Sequence, residues 1–249
     1  MELGLRGRVA LVTGASKGLG RGVAQALIDE GARVAISSRS RERIEAAAAE
    51  IGARPFVHDS ADLDAAPGLV EAVQAELGPI EILVANTGGP PLGPDPLVFT
   101  REQWQEAYRD LVLAPMALIE RVVPGMRERG FGRVVSVGSS AVREPIPGLM
   151  LSNSHRAALL GALKTLAREV ASDGVTLNSV LPGRIATDRL ADNFGSIDVA
   201  QEAAKLQVPA GRLGTVEELA AVATFLCSER ASYVTGTAVL VDGGLTQSV

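Results

Sequence analysis

Cysteine, histidine and aromatic residues are scarce in this sequence of 249 residues. The chain has a single cysteine, Cys227, so it cannot form an internal disulfide and needs no oxidising compartment to fold. The only histidines are His58 and His155, and they are far apart in the sequence. These few residues lack the clustered spacing of a transition-metal site. We therefore expect neither a disulfide nor a bound metal.

Long runs of one charge and long apolar runs are also missing. The chain has 24 basic and 29 acidic residues, a formal net charge of −5, which argues against nucleic acid and anionic membranes as partners. No apolar run approaches the roughly 18 residues that a membrane helix needs. Only residues 1–8 precede the first apolar segment, too few for a secretory signal. We expect a cytoplasmic protein.

Apolar residues, by contrast, are plentiful, and they occur in short segments that alternate with helical patterns. They make up 47% of the chain, and no repeat, linker or low-complexity tract divides it, so we expect one domain over residues 1–249. The predicted strands are 9–12, 33–37, 55–58, 80–85, 132–137, 175–181 and 237–241. The predicted helices are 21–30, 41–51, 69–77, 101–129, 152–171 and 216–227, and we expect residues 184–214 to be irregular and mobile.

Continuously apolar strands between helices are typical of a parallel sheet that is covered on both faces. The pattern therefore predicts an α/β fold, a Rossmann-type doubly wound parallel sheet of about seven strands with helices on both faces. Ligands of such sheets bind at the carboxyl ends of the strands. The polar or glycine-rich segments expected at that edge begin at Gly14, Ser38, Asp59, Asn86, Ser139 and Pro182.

The most informative segment is the glycine-rich turn between the first strand and the first helix. It contains Gly14, Ser16, Lys17, Gly18, Leu19 and Gly20. Glycine allows a ligand to approach the backbone, and the N-terminus of the following helix offers N–H groups and a favourable dipole to an anion. The turn therefore predicts a binding site for the phosphates of a nucleotide.

Together, several motifs resemble the short-chain dehydrogenase/reductase family over nearly the whole chain, and within it the reductases of 3-oxoacyl chains on acyl carrier protein. The motifs are the glycine turn, Asn86-Thr87-Gly88-Gly89, Pro182-Gly183, Gly211-Arg212-Leu213-Gly214 and Val241-Asp242-Gly243-Gly244. The resemblance implies a dehydrogenase or reductase of a small molecule that assembles as a homo-oligomer, a tetramer or a dimer. Besides the glycine turn, it implies cofactor contacts from Ser38, Arg39, Asp59, Ser60, Asn86, Gly88, Arg156, Pro182, Gly183, Ile185 and Thr187.

The end of the second strand indicates which nicotinamide cofactor binds. An acidic residue there would bind the ribose hydroxyls of NAD and repel the additional phosphate of NADP. This chain instead has Ser37-Ser38-Arg39, and Lys17 adds a second cation in the glycine turn. Arg41 and Arg43 are further candidates. The sequence therefore predicts NADP.

The catalytic positions differ from those of the family. The resemblance implies a serine that holds the substrate oxygen, a tyrosine that acts as acid or base, a lysine four residues later, and an asparagine on the preceding helix. Ungapped spacing places Ser139, Ser152, Arg156 and Leu111 at these four positions, so only the serine is retained. A serine hydroxyl is a much weaker acid than a phenol, and arginine keeps its proton.

Two functions remain open at this point. The first is an NADP(H)-dependent oxidoreductase of a carbonyl or alcohol, such as a 3-oxoacyl thioester, in which Ser139 polarises the oxygen and Arg156 holds ribose or an anionic substrate. Its proton donor would be His155, which follows Ser152 on the same helix, Tyr108, or water. The second is a catalytically weak or silent NADP(H)-binding protein that acts as a sensor or assembly partner. Residues 184–208, with Arg184, Arg189 and Lys205, match the family's substrate lid.

Overall fold

The fold is centred on a parallel sheet of seven strands, in the computed structural model that describes residues 1–93 and 95–248. The strands are β1 Val9–Thr13, β2 Arg33–Ser38, β3 Arg54–Val57, β4 Ile82–Ala85, β5 Gly132–Val137, β6 Val175–Pro182 and β7 Ala238–Val241. Their order is β3-β2-β1-β4-β5-β6-β7, and all neighbouring strands run parallel. The order reverses between β1 and β4, which is the point where such sheets bind ligands.

Helices cover both faces of this sheet. They are α1 Gly18–Asp29, α2 Arg41–Ile51, α3 Ala66–Leu77, α4 Arg101–Tyr108, α5 Ala114–Glu128, α6 Met150–Val170, α7 Asp188–Phe194, α8 Ile197–Gln207 and α9 Val216–Cys227. Along β1, Ala10 and Val12 pack with α1, α2 and α9, whereas Val9 and Leu11 pack with α3, α5 and α6. Successive residues of a strand point to opposite faces, so a strand buried on both sides must be apolar throughout. The predicted Rossmann-type α/β fold is confirmed.

The prediction that residues 184–214 are irregular is wrong, because they contain α7 and α8. The Thr187 hydroxyl accepts a hydrogen bond from the Leu190 N–H, and the Ser196 hydroxyl accepts one from the Val199 N–H. These N-caps satisfy backbone donors that would otherwise lack partners at the start of each helix. Two alanines of α8, Ala200 and Ala204, are buried in a small apolar cluster of the lid.

The other predicted helix boundaries differ less from those of the structure. The predicted helix over 101–129 is interrupted by a π-helical segment, Arg109–Leu113, between α4 and α5. The first helix begins at Gly18, three residues before the predicted start, so the last glycines of the turn belong to its first turn. Among the described residues, no helix is both long and apolar enough to cross a membrane.

The start of α9 is stabilised by a capping box that also binds an arginine. The Thr215 hydroxyl accepts from the Glu218 N–H, and the Glu218 carboxylate accepts from the Thr215 N–H at 2.8 Å. Arg212 donates to both carboxylate oxygens of Glu218, at 2.6 and 2.9 Å. Hydrogen bonds from Arg212 and then from the Thr215 backbone lower the pKa of Glu218 from 4.5 to about 2.

We predict that Glu218→Gln makes thermal stability less dependent on pH. A carboxyl group whose pKa is lowered by folding contributes stability above its unfolded pKa, and this stability is lost as pH falls through the folded pKa. The Tm of the wild type should therefore exceed that of Glu218→Gln at pH values above 4.5, and the difference should vanish as pH approaches about 2. Calorimetry across this range measures it, with Glu217→Gln as the control. A difference that does not change with pH would contradict the prediction.

Candidate functional site

The turns after β1 and β4 are joined by three hydrogen bonds. The Thr13 hydroxyl donates to the Asn86 carbonyl at 2.9 Å and accepts from the Asn86 N–H at 3.0 Å. The Asn86 side chain donates to the Gly14 carbonyl at 2.9 Å. Thr13 is buried, so its hydroxyl satisfies backbone groups that have little access to water. These bonds fix the position of the glycine turn on the sheet.

The glycines of the turn are required by close backbone contacts and by backbone conformation. A Cβ atom on Gly14 would lie 2.6 Å from the Asn86 carbonyl oxygen, and one on Gly20 would lie 2.6 Å from the Gly14 carbonyl oxygen. Gly14 and Gly18 both have a φ of +58°, which favours glycine. The turn can therefore adopt this path only without side chains at these positions.

The backbone beside the turn is open to a ligand. Within residues 1–93 and 95–248, a Cβ atom on Gly88 would meet nothing within 4 Å, and one on Gly18 would meet only Thr187, at 3.9 Å. Lys17 precedes α1 without a side-chain capping bond, so the first N–H groups of that helix remain available to an anion. Ser16 and Leu19, within the turn, are half-buried. This arrangement fits the nucleotide site that the sequence predicts.

The residues predicted for the adenosine end of the cofactor lie at the carboxyl ends of β2 and β3. Ser38 and Ser60 are half-buried, Arg39 and Asp59 are exposed, and Asp59 accepts a hydrogen bond from the Ala61 N–H. Arg39 and Asp59 line a cavity of about 390 Å³ together with His58 and residues of α3. Burial lowers the pKa of His58, although the negative charges of Asp59 and Asp62 act to raise it. Sequence reasoning missed His58, which was only one residue from a predicted contact.

Arg156 joins Ser152 to the carboxyl end of β5, and Ser139 follows the same strand. Arg156 donates from Nη1 to the Val137 carbonyl at 2.8 Å and from Nε to Ser152 Oγ at 3.2 Å. Ser139 follows Val137 by two residues, and its Oγ accepts a hydrogen bond from the Ala141 N–H at 3.2 Å. Both serine oxygens act as acceptors in these contacts, so both hydroxyl protons remain available to a ligand.

Arg156 supplies positive charge to this group. Its side chain is half-buried, and within the described part of the chain no carboxylate forms an ion pair with it. Burial, and secondarily the charge of Arg189, lower the pKa of Arg156 to about 10. The guanidinium therefore stays protonated at neutral pH and remains a source of positive charge beside Ser152.

His155 faces a different group of side chains. Its ring lies 5.3 Å from that of Trp104 and 6.2 Å from that of Tyr108, between α4 and α6. Nδ1 is 2.7 Å from the Leu151 carbonyl oxygen, which can only accept, so Nδ1 carries a proton. Proton exchange with a ligand would therefore involve Nε2, and the role of His155 as a proton donor stays a prediction. Leu111, at the family's asparagine position, is buried in the π-helical segment.

The predicted nicotinamide contacts connect β6 to the lid. Pro182 ends β6, and a Cβ atom on Gly183 would lie 2.5 Å from Asp242 Cβ, so only glycine fits there. Ile185 is buried and forms an isolated parallel bridge with Gly214. Thr187 caps α7. These residues hold the first lid helix close to the glycine turn.

Two lid side chains contact the turns of the nucleotide site. Asp188 forms an ion pair with Lys17 at 2.9 Å, an interaction that sequence reasoning missed because the two residues are 171 positions apart. Arg189 donates to the carbonyls of Gly89 and Pro90, both at 3.4 Å. Lys17, which is predicted to contact the NADP phosphate, is therefore positioned by the lid.

We predict that Thr13→Val lowers the free energy of unfolding by about 1–3 kcal/mol, because the isosteric side chain leaves the Asn86 N–H without its buried partner. Urea denaturation measures the change. Thr13→Ser is the control, since it keeps the hydroxyl and should lower the free energy of unfolding less. Equal stability of Thr13→Val and the wild type would show that the three bonds do not hold the two turns together.

Comparison with known proteins agrees with this geometry. Residues 14–246 match the family described as enoyl-(acyl carrier protein) reductase. The chain is 34% identical over 248 residues to the 3-oxoacyl-[acyl-carrier-protein] reductase FabG of Escherichia coli, covering 98% of this chain and 99% of that protein. It is similar to YwfH, an NADPH-dependent reductase involved in bacilysin biosynthesis, with a TM-score of 0.91 and 30% identity over 97% of this chain and 99% of that one.

A second solved structure is similar over its full length. It is the L-sorbose reductase of Gluconobacter frateurii in complex with NADPH and L-sorbose, with a TM-score of 0.90, 33% identity and full coverage of both chains. These matches extend over nearly all of the chain, including the glycine turn, the strand ends and the lid. The chain therefore belongs to the short-chain dehydrogenase/reductase family of oxidoreductases.

Proposed function

We propose that this protein is an NADP(H)-dependent oxidoreductase that transfers a hydride to or from a carbonyl or alcohol of a small molecule. The observation that carries the proposal is the open, uncapped N-terminus of α1 behind the glycine turn, with Arg39 at the end of β2 where an acidic residue would select NAD. Relatives described as NADPH-dependent or bound to NADPH support the choice of cofactor.

The cofactor would bind along the carboxyl edge of the sheet, where NADPH would supply the hydride for reduction and NADP⁺ would accept it in oxidation. The glycine turn would bind the pyrophosphate, and Arg39 and Lys17 the 2′-phosphate. Asp59, Ser60, Asn86 and Gly88 would border the adenosine. Pro182, Gly183, Ile185 and Thr187 would hold the nicotinamide, and Arg156 its ribose.

The side chains at the end of β5 can stabilise negative charge on the substrate oxygen. The hydroxyls of Ser139 and Ser152 each have a proton to donate, and the guanidinium of Arg156 contacts Ser152 Oγ. Fixed donors of this kind stabilise an oxyanion as it forms in the transition state. When a hydride adds to the carbonyl carbon, the oxygen also needs a proton. We propose that water supplies it through Ser152, with His155 as the alternative donor.

The 3-oxoacyl thioesters that the relatives' names indicate are one substrate class to test. The lid contributes apolar side chains from Ala186, Leu190 and Phe194, which suit an acyl or other apolar group. Ketones and aldehydes of similar size form the second class. The substituted tyrosine, lysine and asparagine positions favour a second function, in which the protein binds NADP(H) with little turnover and acts as a sensor or assembly partner.

We propose further that residues 1–249 form one domain that assembles as a homo-oligomer, a dimer or tetramer, in the cytoplasm. Tyr233 is fully exposed, Tyr108 and Phe225 are partly exposed, and all residues of the edge strand β7 are only half-buried. Apolar surface of this kind is compatible with contact between copies of the chain. Cys227 is buried, and burial raises the pKa of its thiol to about 12, so it remains an unreactive thiol at neutral pH.

We predict that the protein binds NADPH more tightly than NADH and that Arg39→Gln removes most of this preference. Loss of a charged hydrogen bond to the 2′-phosphate should raise the Kd of NADPH about tenfold and leave that of NADH nearly unchanged. Fluorescence titration measures both constants. Arg33→Gln, at the opposite end of β2, is the matched control. Failure of the wild type to bind either nucleotide would refute both proposed functions.

We predict that Ser139→Ala and Ser152→Ala each lower kcat by about 10²-fold, because each removes a donor to the developing oxyanion. NADPH oxidation with a panel of ketones, aldehydes and 3-oxoacyl thioesters measures this. Ser154→Ala is the control, since this hydroxyl donates to the α6 backbone. His155→Phe should keep kcat within about threefold if water is the proton donor. Tight NADPH binding without turnover on any substrate would favour the non-catalytic function.

A further inference from the structure

Arg189 crosses from the lid to the turn after β4, and its guanidinium occupies the space beside Gly89. A Cβ atom on Gly89 would clash with that guanidinium, so the glycine makes room for it. Its contacts with the Gly89 and Pro90 carbonyls are both 3.4 Å long, which is beyond the usual length for a charged donor. These bonds position the group and leave other donors of the guanidinium available.

In the part of the chain that the structure describes, Arg189 has no carboxylate within 4.0 Å and therefore no ion-pair partner. Asp188, the preceding residue, pairs with Lys17 instead. Asp192, one turn later on α7, is further away. Burial lowers the pKa of Arg189, although the negative charge of Asp192 acts to raise it. By contrast, Arg8, Arg21, Arg54 and Arg127 all have carboxylate partners.

Arg156 brings a second unpaired cation to the same site. Its charge and that of Arg189 are close enough to repel, which contributes to the lowered pKa of Arg156. The groups that Arg156 contacts are neutral, namely the Ser152 hydroxyl and the backbone carbonyl of Val137. Two cations that lack an ion-pair partner among the described residues are unfavourable by themselves, and an anion bound near them would relieve the repulsion.

We propose that Arg189 binds a carboxylate of the substrate, so that the preferred substrates are carbonyl compounds with a free carboxylate rather than neutral esters or thioesters. This inference rests on the proposed function and names the substrate class of the same site. The planar guanidinium fork matches a carboxylate in geometry as well as in charge. A site with an unpaired cation also discriminates strongly against a ligand that lacks the matching anion.

The pyrophosphate and the 2′-phosphate of the cofactor are the other anions at this edge of the sheet. The predicted place of the pyrophosphate is the N-terminus of α1, where the uncapped N–H groups lie, and that of the 2′-phosphate is beside Arg39. Arg189 instead lies two residues after Thr187, a predicted nicotinamide contact, and its charge acts on Arg156, at the serine end of the site. We therefore assign Arg189 to the substrate, and the experiment includes a readout for the cofactor.

The test compares Arg189→Gln and Arg189→Lys with the wild type on matched probes. The probes are 3-oxohexanoate, its methyl ester and its N-acetylcysteamine thioester, with NADPH oxidation as the assay. Arg168→Gln is the control, because it makes the same substitution at an exposed arginine in the last turn of α6, at the opposite end of that helix from Ser152. The Kd of NADPH is measured for every variant by fluorescence titration.

We expect the wild type to favour the acid over both neutral probes by at least about tenfold in kcat/KM. Arg189→Gln should lower kcat/KM for the acid by about 10- to 100-fold and change that for the ester by less than about threefold. The kcat/KM of Arg189→Lys for the acid should fall between those of the wild type and Arg189→Gln. The kcat/KM values of Arg168→Gln and the Kd of NADPH for all variants should be unchanged. The inference is overturned if the wild type prefers the neutral probes. It is also overturned if Arg189→Gln lowers kcat/KM equally for the acid and the ester, or if NADPH binding weakens in parallel.

A calorimetric titration separates failure of this inference from failure of the proposed function. It measures binding of 3-oxohexanoate to the NADP⁺-saturated protein and to its Arg189→Gln variant. Binding that depends on Arg189 without turnover would support the inference and refute the oxidoreductase function. Turnover of the thioester without binding of the acid would support the oxidoreductase function and overturn the inference. Absence of both acid binding and turnover would overturn both.

Discussion

The hydrogen bonds between Thr13 and Asn86 are the constraint on which the rest of the site depends. They join the ends of β1 and β4, the two adjacent strands between which the sheet reverses its order. A reversal of order separates the loops above the sheet and leaves a crevice there. Because the side chain of Asn86 also holds the Gly14 carbonyl, the same bonds shape the crevice floor. The glycine turn, the lid and the serines at the end of β5 are all positioned around it.

The strands and most helices could be predicted from the sequence because their signals are local. A strand buried on both faces is apolar at most positions, and Val9–Thr13 and Ile82–Ala85 meet this condition. The lid helices were missed because their main signals are single capping residues, Thr187 and Ser196, in a segment with little apolar periodicity. Short helices of this kind depend on tertiary packing rather than on their own sequence.

The sequence predicts which residues belong to the site but not how they contact one another. Family spacing predicts that Ser139, Ser152 and Arg156 act together, and the structure joins the last two by a hydrogen bond. The contact of Arg156 with Val137, that of Lys17 with Asp188 and that of Arg189 with Gly89 join distant parts of the chain. A single sequence contains no signal for such pairs, since each residue would suit a solvated surface equally well. The charge imbalance at the site could therefore be found only after the chain was folded.

The ion pair between Lys17 and Asp188 also has a consequence for folding. The glycine turn is among the first segments in the sequence, yet its partners lie 72 and 171 residues further along the chain. Contacts of such high sequence separation form late, after the loops between them have closed. An N-terminal fragment with β1, α1 and β2 would thus contain the nucleotide motif without its supports. A ligand in this crevice would stabilise the whole chain against unfolding, because it binds a surface that only the complete fold presents.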